Sequence, residues 1–475
     1  MPRPRNDTMF RSLELRGVAS LQSGAAGMSA EANGVATRAA AGEQEFQCSE
    51  AYRRYVVWFL FVVYVFNFVD RQILATLMEL IKRDFALTDT QLGLLSGLAF
   101  AAFYTTVGIP IARLADKSNR VNIIAASLLI WSAATAATAL AKNFMHLFLC
   151  RIVVGIGEAG CSPPAHSLIS DYFEPKRRAT ALSIYSMGVY GGSFLGLLVG
   201  GVVAQEYGWR TAFLLVGLPG LLLAVIMKLT LREPPRGFSE GGVHAVREPP
   251  PMLTVLRTLW GKRTFKHLSV ASGLHAFVSY GVSAFYNSYL IRSHGFTVAE
   301  AGIWLAFIVG IGGLSGTYFG GTWADKLSQK HNDSRYLLKV PAVSNLIALP
   351  FAAAAFMMGN TTLVLICLFI YVCFGTMYLA PSISGTYKLV GPRERALASA
   401  LLFLVLNFIG MGIGPTLTGL VSESFRGYFI DLGATEAQAT ADGLRYALSF
   451  IVFVFLWSTF HYYRAMRTLR EEEYG

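Results

Sequence analysis

Asn67, Asp70 and Arg71 stand at i, i+3 and i+4 in one long apolar stretch, and Arg151, Gly155 and Glu158 at i, i+4 and i+7 in another. In a helix these spacings put each set on roughly one face. An ionisable side chain inside a membrane helix costs a few kcal/mol or more, which makes these residues functional candidates by default. Low dielectric favours a neutral carboxyl and a nearby guanidinium favours the carboxylate. An acid held between the two influences can exchange a proton as its cavity opens to either side. Asp70 and Glu158 are therefore the expected proton-coupling carboxylates, with Arg71, Arg151 and Asn67 as charge partners or ligands of an anionic substrate. The competing reading is a structural set of ion pairs that fixes the two helices to each other.

The elements that must position these residues are membrane spans. A chain of 475 residues that is 54% hydrophobic and 15% charged fits no ordinary soluble composition. Stretches of about twenty apolar residues, enough to cross a bilayer, recur at 54–80, 91–113, 120–141, 144–170, 179–204, 209–230, 265–291, 299–323, 336–358, 361–387, 395–421 and 443–465. Basic residues gather in alternate breaks: Arg53 and Arg54, Lys117 and Arg120, Lys176 to Arg178, Lys326 and Lys330, Arg393 and Arg395. Cytoplasmic loops are enriched in Lys and Arg, so both termini are expected in the cytoplasm.

The expected organisation is an all-α membrane protein of twelve transmembrane helices in two pseudo-symmetric six-helix bundles. A disordered tail (1–52) precedes the first bundle (53–231), a Pro-rich cytoplasmic linker (232–263) joins it to the second (264–466), and a short cytoplasmic tail follows (467–475). A repeat supports the division. Ala112 to Lys117 after the second span is matched by Gly321 to Lys326 after the eighth, and Gly188, Gly192 and Gly196 by Gly410, Gly414 and Gly419. Two parallel repeats are a transporter architecture, with the substrate site near mid-membrane between them.

The second half has no acid near a span centre, but offers His275, Tyr280, Asn287, Tyr378 and Asn407 among apolar neighbours. One charged wall and one mostly apolar wall suit an amphipathic substrate with a polar head and an aliphatic tail; for each of these residues taken alone, packing is the competing reading. Asp116, Arg120 and Asp325, at helix ends beside basic loops, are read as gating residues. Cys48, Cys150, Cys161, Cys367 and Cys373 have no metal-ligand spacing. Neither a metal nor a cofactor is expected. The net charge of +11 lies in short clusters between spans, which points to lipid headgroups and not to nucleic acid. The absence of nucleotide-binding or hydrolase motifs argues against an enzyme.

The loop from Ala112 to Arg120 resembles the signature between helices two and three of the major facilitator superfamily. The Gly410, Gly414, Pro415 series resembles its antiporter motif, although Ser193 stands where helix five usually carries the proline. Asn67-Phe68-Val69-Asp70-Arg71, Arg151 through Glu158, Ser162-Pro163, Ile169-Ser170-Asp171 and Gly208-Trp209-Arg210 resemble the Spinster family, and the resemblance spans nearly the whole chain after the tail. It implies a proton-coupled transporter of lysophospholipid or sphingolipid type, with Asp70 and Glu158 in proton coupling. With no organelle-sorting signal apparent, a bacterial inner membrane is expected, and the protein is expected to be a monomer. The related sugar-acid symporters share the Arg-xxx-Gly-xx-Glu-Ala pattern and give an alternative. A membrane sensor that does not transport is another.

Overall fold

The computed structural model describes residues 48–240, 252–391 and 394–474. From Arg54 onward the described residues form one compact unit. The expected tail (1–52) lies outside the described residues apart from 48–52.

Every described segment is helical or a short link. In hydrocarbon each backbone group needs an internal partner, and a helix supplies it. The first half contains α1 (Glu50–Phe85), α2 (Asp89–Ser96), α3 (Leu98–Lys117), α4 (Arg120–Thr138), α5 (Phe144–Glu158), α6 (Ser162–Tyr172), α7 (Pro175–Ser186) and α8 (Gly188–Thr230). Then comes α9 (Met252–Gly261), in the linker. The second half has α10 (Arg263–Ala284), α11 (Tyr286–His294), α12 (Val298–Phe307), α13 (Gly313–His331), α14 (Tyr336–Met357), α15 (Thr361–Gly375), α16 (Leu379–Tyr387), α17 (Arg395–Leu406), α18 (Gly414–Asp431), α19 (Glu436–Ile451) and α20 (Val454–Glu472). Starts are written locally: Thr88 with Gln91, Thr297 with Glu300 and Thr435 with Gln438 form capping boxes.

Among the described residues, ten helices are long and apolar enough to cross a membrane, or eleven when the bent pair α10 and α11 is one span. That count takes 176–230 as a single helix, which is where it parts from the twelve spans read from hydropathy. The segment breaks at Gly208, whose φ of 81° only glycine adopts readily. Its first arm rises along α1, with Gly188 against Tyr64 and Gly196 against Gln72. Beyond the break Trp209 meets Phe85, and Thr230 returns to a hydrogen bond with Tyr55 near the start of α1. Trp209 and Arg210 both donate to Asp84 at 2.7 Å, so the Gly208-Trp209-Arg210 motif pins this reversal to the end of α1.

Two segments depart from expectation. Residues 467–472 are not a free tail: α20 runs to Glu472, Leu469 is fully buried, and the Glu472 carboxylate accepts the backbone N–H groups of Arg263 and Thr264 at 2.9 Å. The linker contains a packed helix, since α9 buries Val255 and Leu259 against the second half. Its residues 241–251 lie outside the described residues.

The two ends of the bundle differ. One carries the links at 118–119, 173–174 and 332–335, flanked or occupied by Lys117 and Arg120, by Lys176 to Arg178, and by Lys330 and Arg335, and is the basic end; the other carries those at 86–88, 139–143 and 295–297 and is the far end. At the far end the halves are sealed along two seams. Gly419 of α18 admits the Asp89–Thr90 backbone of α2, and Gly201 of α8 meets Gly302 of α12. Small residues permit such approach where no solvent drives packing. Toward mid-depth the seams reach Gly97 against Gly412 and a Tyr190–Thr317 hydroxyl contact. The five- and seven-residue π turns Ile308–Gly312 and Asn407–Ile413 lie on these seams. Among the described residues, ion pairs at the basic end join groups of the same half.

Candidate functional site

The charged residues of α1 and α5 meet crosswise. Arg71 Nε donates to Glu158 Oε2 at 2.7 Å, while Arg151 Nη1 lies 4.0 Å from Asp70 Oδ1. Asp70 Oδ2 also accepts the Thr135 hydroxyl of α4 at 2.6 Å. Asp70, Arg151 and Glu158 are all buried, and Arg71 keeps 15% of its side chain exposed. With all four ionised the cluster is neutral, the condition under which buried charge is tolerated.

Aromatic rings hold the guanidinium groups in place. Arg71 sits 4.8–5.0 Å from the ring centres of Phe68, Phe100 and Tyr104, and Arg151 lies 4.7 Å from the same Phe100 ring centre. Cation–π contact of this kind fixes a cation without consuming its hydrogen-bond donors. Several polar atoms are left without a partner: Glu158 Oε1, Arg151 Nε, and both side-chain polar atoms of Asn67. Buried groups of this kind ordinarily have partners. The cluster therefore offers one free carboxylate oxygen, free guanidinium donors and a buried amide.

Across the bundle, Tyr280 of α10 lies within electrostatic range of Arg71 and Tyr104. It packs with Tyr378 and Leu406. Asn287 is buried with its Oδ1 unpartnered, and Asn407 is half-buried in a π turn.

Two expected placements are corrected. Asp70 does not face the central cavity: adjacent helical residues diverge by about 100°, so while Arg71 points to the aromatic rings, Asp70 points to Thr135 inside the first half. His275 is fully buried in the second half, its Nδ1 2.6 Å from Asn345 Oδ1 and its Nε2 2.6 Å from the Gly375 carbonyl. Both ring nitrogens are engaged in packing the half together, so it is not a surface ligand.

The gating residues divide differently. Arg120 is fully buried and ties α4 to Asp171 of α6 and to Glu233 of the linker, a clamp within the first half and not between halves. Asp325 is exposed and has no ion pair among the described residues. Asp116 closes α3, but its side chain lies outside the described residues.

Sequence reasoning missed the lock at the far end. Arg292 of α11 grips Asp89 of α2 with two bonds of 2.7 and 2.8 Å and Glu79 of α1 with one of 2.9 Å. Lys82 and Ser422 each reach Asp89 at 2.7 Å, and Glu423 accepts the Asp89 backbone N–H at 2.7 Å. These residues stand at span edges, where charges are ordinary, so their types and spacing did not single them out.

The model of the Major Facilitator Superfamily matches residues 60–415. A bacterial homolog of the human lysosomal transporter Spinster, solved in an inward-facing and unoccupied conformation, superposes with a TM-score of 0.83 at 34% identity, covering 90% of this chain and 100% of that one. The chain belongs to the major facilitator superfamily, in its Spinster branch. An MFS-type efflux pump of Mycolicibacterium smegmatis is 33% identical over 79% of this chain and 85% of its own. A hexuronate transporter of Bacillus subtilis is 25% identical over 82% of this chain and 94% of its own. The sphingosine-1-phosphate transporter of Danio rerio is 26% identical over 82% of this chain and 79% of its own. The chain is thus an integral membrane transporter of the Spinster type and not an enzyme.

Proposed function

We propose that this transporter moves an amphipathic, anionic-headed lipid of lysophospholipid or sphingolipid type by alternating access, coupled to protons through Glu158. The observation that carries the reading is the Arg71–Glu158 pair, with Arg71 partly exposed, ringed by aromatics and opposed by Tyr280, and with Glu158 Oε1 unpartnered. An anionic head that takes Arg71 leaves Glu158 as an uncompensated buried charge. Taking up a proton removes that charge, so anion and proton load together and the cluster stays neutral. Asp70, held by Arg151 and Thr135, acts from inside the first half as the second carboxylate of the network. Asn67, Asn287 and Asn407 supply polar contacts to the head, and the aromatic walls accept the aliphatic tail.

In this reading the basic end is cytoplasmic, both termini included, because alternate loops there carry the Lys and Arg. With the far end held shut by the seams and the Arg292 lock, the reading takes this as an inward-open state, and takes the transporter as a monomer in a bacterial inner membrane. The hexuronate transporter supports a second reading, proton symport of a sugar acid whose carboxylate would bind Arg71. Competition binding with lysolipids and hexuronates separates the two. A sensor would bind ligand yet give no proton-driven flux.

A further inference from the structure

The outer face of the second half carries a pocket outside the transport site. At the basic end a cavity of about 310 Å³ lies between the start of α14 and the end of α20, with Arg335, Lys339 and Arg467 among its lining residues. A second cavity, of about 260 Å³, is almost wholly apolar and runs between α13, α14 and α15, past Trp323, Val340, Val343, Ile347 and Phe374. Tyr336 and Lys339 line both, so the basic pocket adjoins the apolar one.

The charges at the basic pocket are unequal. Asp333 is its one lining acid, and it is already taken by Arg335 at 2.8 Å and Arg470 at 3.3 Å. The Arg335 side chain holds the Asp333 carboxyl below the usual carboxylate range, so this acid stays ionised and committed to its arginines. Lys339 lies 5.0 Å from the ring centre of Tyr336, and Arg467 donates to the Tyr463 hydroxyl at 2.7 Å. Neither has a carboxylate partner among the described residues. His331 stacks on Tyr336 from the α13 side and adds no negative charge.

The apolar part has the dimensions of an acyl chain. From Tyr336 to Ile347 the helix advances by about 16 Å at 1.5 Å per residue, close to half of a hydrocarbon core about 30 Å thick. Val340, Val343 and Ile347 lie on one face of α14 by their spacing. Trp323 and Val343 remain 44% and 43% exposed, so the groove is open along its side to surrounding lipid.

We infer that this is a binding site for an anionic glycerophospholipid of the surrounding leaflet, its phosphate between Lys339 and Arg467 and one acyl chain along the groove beside Trp323. Basic pockets at the membrane surface recognise such headgroups. A zwitterionic choline lipid gains less, because among the described residues lining the pocket no free carboxylate meets its ammonium group. A soluble phosphate would leave the apolar groove empty.

Trp323 provides the readout. The full-length protein is placed in nanodiscs of phosphatidylcholine doped with either brominated phosphatidylglycerol or brominated phosphatidylcholine. The quenching assigned to Trp323 is the difference between the wild type and Trp323→Phe. Phosphatidylglycerol is expected to quench at the lower mole fraction, and its advantage to fall by about fivefold for each cation removed in Lys339→Gln and Arg467→Gln. Both changes lie on the surface, and an unchanged melting temperature verifies the fold. Equal quenching by the two lipids, or a preference that survives the double substitution, would overturn the proposal. So would loss of the phosphatidylglycerol effect on adding inorganic phosphate at constant ionic strength, which would mark a site for soluble anions.

Discussion

Replacing Arg292 by Gln tests how the far end is held shut. Arg292 is 5% exposed, Asp89 2% and Glu79 8%, and the three bonds between them all cross from the second half to the first. Breaking a buried pair by removing one partner costs about 3–5 kcal/mol. Lys82 still reaches Asp89 at 2.7 Å, which favours the lower figure. Because the bonds can form only while the far end is closed, the loss falls on that state alone. About 3 kcal/mol moves the closed-to-open ratio by roughly 150-fold. Ser422, buried against Asp89, can be changed to Cys with little change of shape, and its reaction with an impermeant maleimide added on the far side then reports opening. The expected result is fast labelling in Arg292→Gln and slow labelling with Arg292 in place, with Glu79→Gln in between because the bidentate Asp89 contact survives. Equal rates in all three, in folded protein, would refute the lock.

Other expectations follow from the same geometry. Gly302→Val brings a side chain to 2.5 Å from the Leu197 carbonyl oxygen across the α8–α12 seam; the overpacking, about 1–3 kcal/mol, should also raise far-side labelling, and unchanged labelling would contradict it. Arg71→Ala leaves Glu158 without its cation and should abolish uptake into proteoliposomes, whereas Asp70→Asn, whose partner is inside the half, should slow uptake while leaving substrate affinity within a few-fold in equilibrium binding. Arg120→Gln frees two carboxylates at once and should cost about 3 kcal/mol of stability, seen as a lower melting temperature; a normal melting temperature would show the clamp to be idle.

Much of the architecture was legible because membrane helices announce themselves. The hydrophobic runs located the helices to within a few residues at most ends, and the scarcity of charge in hydrocarbon singled out Asp70, Arg71, Arg151 and Glu158 before any contact was known. What hydropathy could not give was pairing. The crossing of Arg71 to Glu158 and Arg151 to Asp70 depends on how α1 packs on α5, and Thr135 enters from a third helix. Residues at span edges were the least legible. Glu79, Asp89 and Arg292 are not distinguished by sequence from ordinary interfacial charges, and Arg120 reads as a gate beside a basic loop, although each is buried by tertiary contact. His275 looked like a ligand because a polar ring in an apolar helix has two possible fates, and only the positions of Asn345 and Gly375 decide between them. The last residues read as a tail because 471–473 is an acidic run, whereas Glu472 caps the start of α10.

The central claim is that Glu158 links proton movement to substrate movement. Its most direct test is the purified protein in liposomes under an imposed pH gradient, with a labelled lysolipid and a labelled sugar acid followed in parallel in wild type and Glu158→Gln. Gradient-driven lysolipid flux in the wild type, with Glu158→Gln still binding lysolipid but indifferent to the gradient, is the predicted result. Gradient-driven flux of equal size in Glu158→Gln would contradict the coupling role, and gradient-driven flux of the sugar acid alone would contradict the lipid assignment.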